Sequence, residues 1–191
     1  MSVSTSTSTS TSTSTSRPEA GAADVVIRPA QQHDLPVLGK LGALLVRAHY
    51  GFDRDRFLRP APNVEEGYAW FLGTQLGQDD VVVLVAEVAP TRDISAEILG
   101  YVYAGLEPMS WKELRDPAGF IHDVVVTEAA RGRGIGARLV DHAADWLEAR
   151  GAPRVMLWTA ERNASAQRLF DHLGFRRTMI EMTRERRRRD P

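Results

Sequence analysis

Arg131-Gly132-Arg133-Gly134-Ile135-Gly136 is the stretch that decides the fold of this chain. It follows a predicted strand, Phe120 to Val126. It precedes a segment in which Ile135, Leu139, Val140, Ala143, Trp146 and Leu147 recur on one helical face and which ends before Gly151. The order is strand, turn, helix. Glycines at 132, 134 and 136 let backbone N–H groups approach a ligand with no Cβ in the way. The helix start adds unpaired N–H donors and the positive end of the helix dipole. With the charges of Arg131 and Arg133, this makes an anion site suited to a pyrophosphate. The spacing is neither G-x-G-x-x-G nor a loop ending in G-K-[ST], so a Rossmann dinucleotide site and a P-loop are both disfavoured. A glycine-rich turn with no ligand is the plain alternative.

The rest of the chain is read outward from this unit. Downstream, Val155 to Thr159 is a predicted strand. Asn163 caps a helix through Ala166, Leu169, Phe170 and Leu173, which Gly174 stops, and Thr178 to Thr183 is a last predicted strand. Upstream, Val25-Val26-Ile27 is a strand ending at Pro29. Asp34 is placed to cap a helix with Pro36 in its first turn, and Leu38, Leu41, Leu45 and His49 follow at helical spacing. Asn63 with Glu66 resembles a capping box ahead of Tyr68, Trp70, Phe71 and Leu76. Val81 to Val88 and Ile98 to Leu106 fit a hairpin around a loop containing Pro90, Arg92 and Asp93. Strands precede the central helix, and strand and helix alternate after it. The expectation is an α/β fold on a mixed sheet.

Composition narrows the function classes. The absence of cysteine removes disulfides, thiolate catalysis and Cys-ligated zinc. A net charge of −1 gives the fold as a whole no electrostatic hold on nucleic acid. No apolar run approaches the ~20 residues of a membrane span, and a cytoplasmic protein is expected. Ser and Thr alternate strictly from Ser4 to Ser16 with nothing apolar to bury, so residues 1–23 read as a disordered tail. Residues 24–183 form the expected domain. Residues 184–191, with Arg184 and Arg186 to Arg189, read as a solvated basic tail, and a contact with nucleic acid or an acidic partner is the sharper alternative for it.

The glycine-rich stretch matches the R/Q-x-x-G-x-G/A signature of the GNAT superfamily of acyl-CoA-dependent N-acyltransferases. A second stretch, Asn163-Ala164-Ser165-Ala166-Gln167-Arg168-Leu169-Phe170-Asp171-His172-Leu173-Gly174-Phe175, resembles that family's N-x-x-A-x-x-L-Y-x-x-x-G-F. The likeness covers roughly Val25 to Met182. It implies a mixed, mostly antiparallel sheet with a splayed parallel pair, flanked by helices. It implies acetyl-CoA as acyl donor, no metal, and an amine acceptor on a small molecule or a protein. By the same resemblance, the backbone of Val124, Val125 and Val126 pairs with the pantetheine arm, and the N–H groups from Arg133 to Ala137, Ile135 and Gly136 included, hold the pyrophosphate. Asn163 contacts the pantetheine or the reacting region. A monomer or a homodimer is expected.

Transfer to an amine needs a proton acceptor and a donor to the tetrahedral oxyanion. The family-type oxyanion donor is a strand N–H near Val124. His122 and Asp123 are the candidate bases, with period two sending them to opposite faces unless a bulge intervenes, so that only one faces the substrate. A histidine satisfied inside the fold is the plain alternative. Some relatives carry a base five residues before the Asn; here that position is Trp158, which cannot serve. Glu87 and Glu97 are weaker candidates. Tyr50, Phe52, Trp70, Tyr103 and Trp111 are the aromatics available for an acceptor pocket. Phe170 stands where the family commonly has Tyr, so the hydroxyl that would protonate the leaving thiolate is missing. Tyr101, Tyr103 or a water on Asn163 are the substitutes considered. The same Phe leaves room for a non-catalytic acyl-CoA-binding sensor.

Overall fold

The computed structural model describes residues 25–89 and 96–186. Five strands form one sheet in chain order: Val25–Pro29 (β1), Val81–Val88 (β2), Glu97–Glu107 (β3), Ala118–Val126 (β4) and Val155–Leu157 (β5). Neighbours from β1 to β4 are antiparallel, and β5 lies parallel to β4. A parallel pair needs a crossover, and Ile135–Glu148 (α3) supplies it. Leu35–Phe52 (α1), Val64–Gln75 (α2) and Ala164–His172 (α4) are the other helices. The mixed sheet expected from the sequence is present.

Strand β2 shows why its apolar run is unbroken. Val82, Leu84 and Ala86 pack with Val102, Ala104 and Ile121 against Leu139, Val140, Ala143 and Leu147 of α3. The alternate residues Val83 and Val85 join Tyr101 and Val125 against Leu38 and Leu41 of α1 and Leu72 of α2. Both faces of the sheet are covered, so alternation with polar residues is lost.

Four local expectations are corrected. Asp34 precedes α1, but its backbone is αR (φ −80°, ψ −20°) and its carboxylate makes no cap bond to that helix. It accepts from the Gln31 N–H at 2.8 Å and from Arg28 at 2.7 and 3.1 Å. Asn63 precedes α2 with φ −101° and ψ 30°, away from the extended conformation a cap needs, and no side-chain bond forms. Thr178 to Thr183 is not a strand. Residues 175–186 have no regular structure, with Arg177 donating to Gln167 Oε1 at 2.6 Å and Glu181 paired to Arg56 between α1 and α2. Met179, Ile180 and Met182 there are exposed. Strand β5 also ends at Leu157, short of Thr159. The Ser/Thr run, the 90–93 loop and Arg187 to Arg189 lie outside the described residues. Among the described residues no helix is long and apolar enough to cross a membrane.

Arg28 on β1 also grips Glu87 of β2, with bonds of 2.8 and 2.9 Å, so one guanidinium ties the sheet edge to the start of α1. Burial works to raise the Asp34 carboxyl, but the Arg28 and Gln31 hydrogen bonds outweigh it and hold the carboxyl below the ordinary aspartate range. A depressed carboxyl stabilises the fold above its unfolded pKa, and that stability fades as pH falls through the lower folded value. Asp34→Asn is therefore expected to cost about 2–3 kcal/mol at neutral pH, less than a fully buried pair would, because Arg28 keeps 22% of its side chain exposed. Urea melts of both proteins from neutral pH down into the acid range check this. The gap should narrow as pH drops below the ordinary aspartate pKa; a gap that stays constant would show that the pair carries no such linkage.

Candidate active site

Between β4 and α3 the chain makes a 3-10 turn, Glu128–Ala130, and then the glycine-rich loop. Gly132 and Gly134 both sit at φ +75°, a left-handed conformation costly for other residues. Gly134 is the N-cap of α3 and has no side chain to cap it. The first helical bond runs from Arg138 N–H to Gly134 O at 3.1 Å, so the N–H groups of Ile135, Gly136 and Ala137 have no intrahelical acceptor. Arg131 and Arg133 beside them are exposed. Gly136 also has a packing role. A Cβ there would meet Leu169 Cδ2 at 3.3 Å, so it serves the packing of α3 on α4.

Strand β4 leads away from this loop toward a gap. It pairs with β5 through Gly119–Val155, Phe120–Met156 and Ile121–Leu157 only. Val124, Val125 and Val126 pair with β3 on one side and have no β5 partner on the other. The opening is a cleft whose walls include Val124, Thr159, Asn163 and Phe170. Asn163 Oδ1 accepts from Ala166 N–H at 3.2 Å and from Ser165 Oγ at 3.0 Å, so its capping role is met by one atom, and its amide NH₂ makes no hydrogen bond among the described residues. Thr159 Oγ1 is buried there without a partner among the described residues. An orphaned hydroxyl and a row of unpaired strand groups are donors and acceptors that an amide-bearing chain such as pantetheine could satisfy.

His122 and Asp123 both line this cleft, against the expectation that one would turn away. The cause is a bulge. Tyr103 pairs with Asp123 and Ala104 with Ile121, leaving His122 as the extra residue of β4. Its ring stacks between Tyr103, at 4.7 Å, and Phe120, at 5.1 Å, and its side chain stays 30% exposed. Burial pushes the imidazole below the ordinary histidine range, outweighing the pull of Glu107 and Asp123, so the ring is neutral near pH 7. Asp123 is deeper. Tyr68 and Tyr101 both donate their hydroxyls to Oδ2, at 2.5 and 3.0 Å. Burial raises this carboxyl despite those donors and the nearby His122 and His49.

The Acetyltransferase (GNAT) family model matches residues 50–175, well over half the chain. The chain belongs to the GNAT acetyltransferase family. GNAT relatives include a mycothiol acetyltransferase of Thermomonospora curvata, 31% identical over 81% of this chain and 52% of that protein. A mycothiol acetyltransferase of Beutenbergia cavernae is 44% identical over 34% of this chain and 22% of that protein. The chain thus spans about half or less of the length of these curated relatives. Among solved structures, the aminoglycoside N-acetyltransferase AAC(6')-Iy in complex with CoA superposes with a TM-score of 0.66 at 17% identity. The match covers 88% of this chain and 99% of that one, a likeness of fold.

Other residues that the sequence offered to this GNAT site are placed as follows; Trp70 and Trp111 are exposed. Glu87 is held by Arg28, and Glu97 opens β3 as an exposed residue. Tyr101 is fully buried with its hydroxyl on Asp123, and the Tyr103 hydroxyl donates to Gln75 Oε1 at 3.1 Å, so neither hydroxyl is left to meet a thiolate. Trp158, rejected as a base, is a wall of the cleft and 68% exposed. Two residues of the site escape a reading of the sequence. His49 has the spacing of a core position of α1, but it lines the cleft with Nδ1 2.9 Å from Leu45 O. Tyr68 is 55 residues from Asp123, and no local pattern joins them. The glycines of α1 are a usable signal for it. Gly42 leaves the space the Tyr68 ring fills, since a Cβ there would stand 1.9 Å from Tyr68 Cδ1.

Gly42→Ala is therefore expected to expel the Tyr68 ring, strip Asp123 of a donor and cost about 1–3 kcal/mol. Chemical denaturation of Gly42→Ala beside Tyr68→Phe, which removes only the hydroxyl, measures it. Wild-type stability in Gly42→Ala would show that α1 and α2 can separate without loss.

Proposed function

We propose that this GNAT protein is an N-acetyltransferase that moves an acetyl group from acetyl-CoA to a primary amine by direct attack in a ternary complex. The observation that carries the reading is the succession along one stretch of chain of the His122–Asp123 pair in the cleft, the strand edge that β5 leaves free and a helix start with no side-chain cap. The N–H groups from Arg133 to Ala137, with Arg131, would take the pyrophosphate. Val124, Val125 and Val126 would bond the pantetheine arm through the open edge of β4, with Asn163 and Thr159 on the opposite wall. His122 accepts the proton of the attacking amine, because it is accessible and neutral. Asp123 supplies fixed negative charge beside it, and the Val124 N–H stabilises the oxyanion.

No residue acts as a metal ligand in this scheme. The acceptor is a small-molecule amine. The named relatives, mycothiol and aminoglycoside acetyltransferases, support that class. The protein works in the cytoplasm as a monomer or homodimer. A non-catalytic acyl-CoA sensor is the second reading, and Phe170 is the observation that favours it. CoA release with a panel of small amines separates the two, with turnover as the expected result.

The donor site is tested by charge at constant shape. Both Gly134→Asn and Gly134→Asp add a side chain that tolerates a positive φ, and a Cβ at this position meets no atom within 4 Å. Only Asp places a carboxylate against a pyrophosphate. Acetyl-CoA should raise the melting temperature of wild type and of the Asn variant, and far less that of the Asp variant. Equal thermal shifts in both variants would remove the pyrophosphate assignment.

The two candidate bases should separate in kinetics. His122→Ala is expected to lower kcat by about 10²–10⁴-fold with little change in acetyl-CoA binding. Asp123→Asn, which keeps the shape that receives Tyr68 and Tyr101, is expected to lose less. Steady-state rates on one accepted amine decide it, and the reverse order would make Asp123 the proton acceptor.

A further inference from the structure

The bulge that turns His122 into the cleft also sets its ring against a second charged group. His122 Nε2 lies 3.6 Å from Glu107 Oε1, an ion-pair distance once the ring is protonated. Glu107 is in turn clamped by Arg115, whose side chain is only 8% exposed. Arg115 is fixed from several directions. It donates to Glu113 Oε2 at 2.5 Å and to Pro108 O at 2.9 Å, and its backbone exchanges two bonds with Ser110. Its guanidinium carbon also stands 6.0 Å from the Phe120 ring, one of the two rings stacked on His122. One buried arginine therefore braces both the carboxylate and an aromatic neighbour of the same imidazole.

We propose that Glu107, held by Arg115, is a positioning residue for His122: its charge, 3.6 Å from Nε2, favours the tautomer that carries the proton there, leaves the Nδ1 lone pair for the amine, and stabilises the imidazolium that forms. The proposal rests on His122 as the proton acceptor. In the step, the N–H bond of the attacking amine breaks and an Nδ1–H bond forms. The ring becomes a cation, and its Nε2–H faces Glu107 without transferring a proton to it. When the ring reverts, the proton goes to water. Glu107 also lines an open cavity of about 400 Å³ with Asp80 and Arg150, which brings solvent to that side. The charged groups that face His122 are Glu107 from β3 and Asp123 from β4; Arg115 acts on it through Glu107. A negative group beside the ring favours its charged form, so removing that charge must lower the His122 pKa.

The experiment uses the full chain. Nitrogen-15 NMR of the free protein reads the His122 tautomer and titration, and steady-state kinetics read kcat/KM against pH. Wild type should show the Nε2–H tautomer. Glu107→Gln should titrate His122 at lower pH, move the acid limb of kcat/KM the same way, and lower kcat about 10–100-fold while the KM for acetyl-CoA holds. Glu107→Asp, which restores the charge on a shorter stem, should recover part of both effects. An unchanged His122 titration and pH profile in a folded Glu107→Gln protein, with His122→Ala inactive, would overturn the role of Glu107 and leave the base assignment standing. Full turnover by His122→Ala would overturn the base assignment, and this proposal with it.

Discussion

Strand β4 has nine residues and its parallel partner β5 has three, and the shape of the cleft depends on that mismatch. Backbone N–H and C=O groups inside a protein are nearly always paired. Past Ile121, one edge of β4 has no strand to pair with among the described residues, yet both faces of the sheet are covered by helices. The unmet edge is thus a slot with fixed donors and acceptors. The α3 crossover that the parallel pair requires starts at one end of the slot, so its free N–H groups stand beside it. A free helix start and an open strand edge are consecutive because one topological element creates both.

The layer of α1 and α2 supplies what the slot lacks, a place where charge is handled. Arg28 binds Asp34 at the start of α1 and Glu87 on β2, which fixes that helix to the sheet. Close packing at Gly42 then brings Tyr68 over the sheet to Asp123. A buried carboxylate with two tyrosine donors is stable enough to persist, and burial still shifts it upward. His122, displaced one residue by the bulge, is the more accessible of the two. Neighbouring residues on one strand thus receive opposite environments, and that difference is the basis for giving them different roles.

The parts legible in sequence are the local ones. The strand, glycine loop and amphipathic α3 follow from spacing, and Asn163 caps α4 as its position suggests, because each depends on residues a few positions apart. What escapes depends on pairing at a distance. The bulge is a property of the β3–β4 register, where Tyr103 faces Asp123 and Ala104 faces Ile121, and neither strand shows it alone. The Tyr68 bond spans two layers. The stretch from Thr178 to Thr183 has strand-like residues, but propensity does not make a strand without a partner. Its Glu181 is instead drawn to Arg56.

Phe170 is where packing and chemistry meet. Its ring is 6% exposed and packs against Phe175 at 5.9 Å, so it is a structural wall of the cleft as well as a departure from the family pattern. Tyr101 and Tyr103 have committed their hydroxyls to Asp123 and Gln75. On the mechanism proposed above, a departing sulfur would take its proton from water or leave without one. A thiol of pKa near ~8.5 leaves as thiolate without great cost at neutral pH. An amine, by contrast, must lose its proton for the product amide to form. The polar groups are unevenly placed: His122 and Asp123 line the cleft with Glu107 behind the imidazole, while Phe170 gives the cleft an aromatic wall.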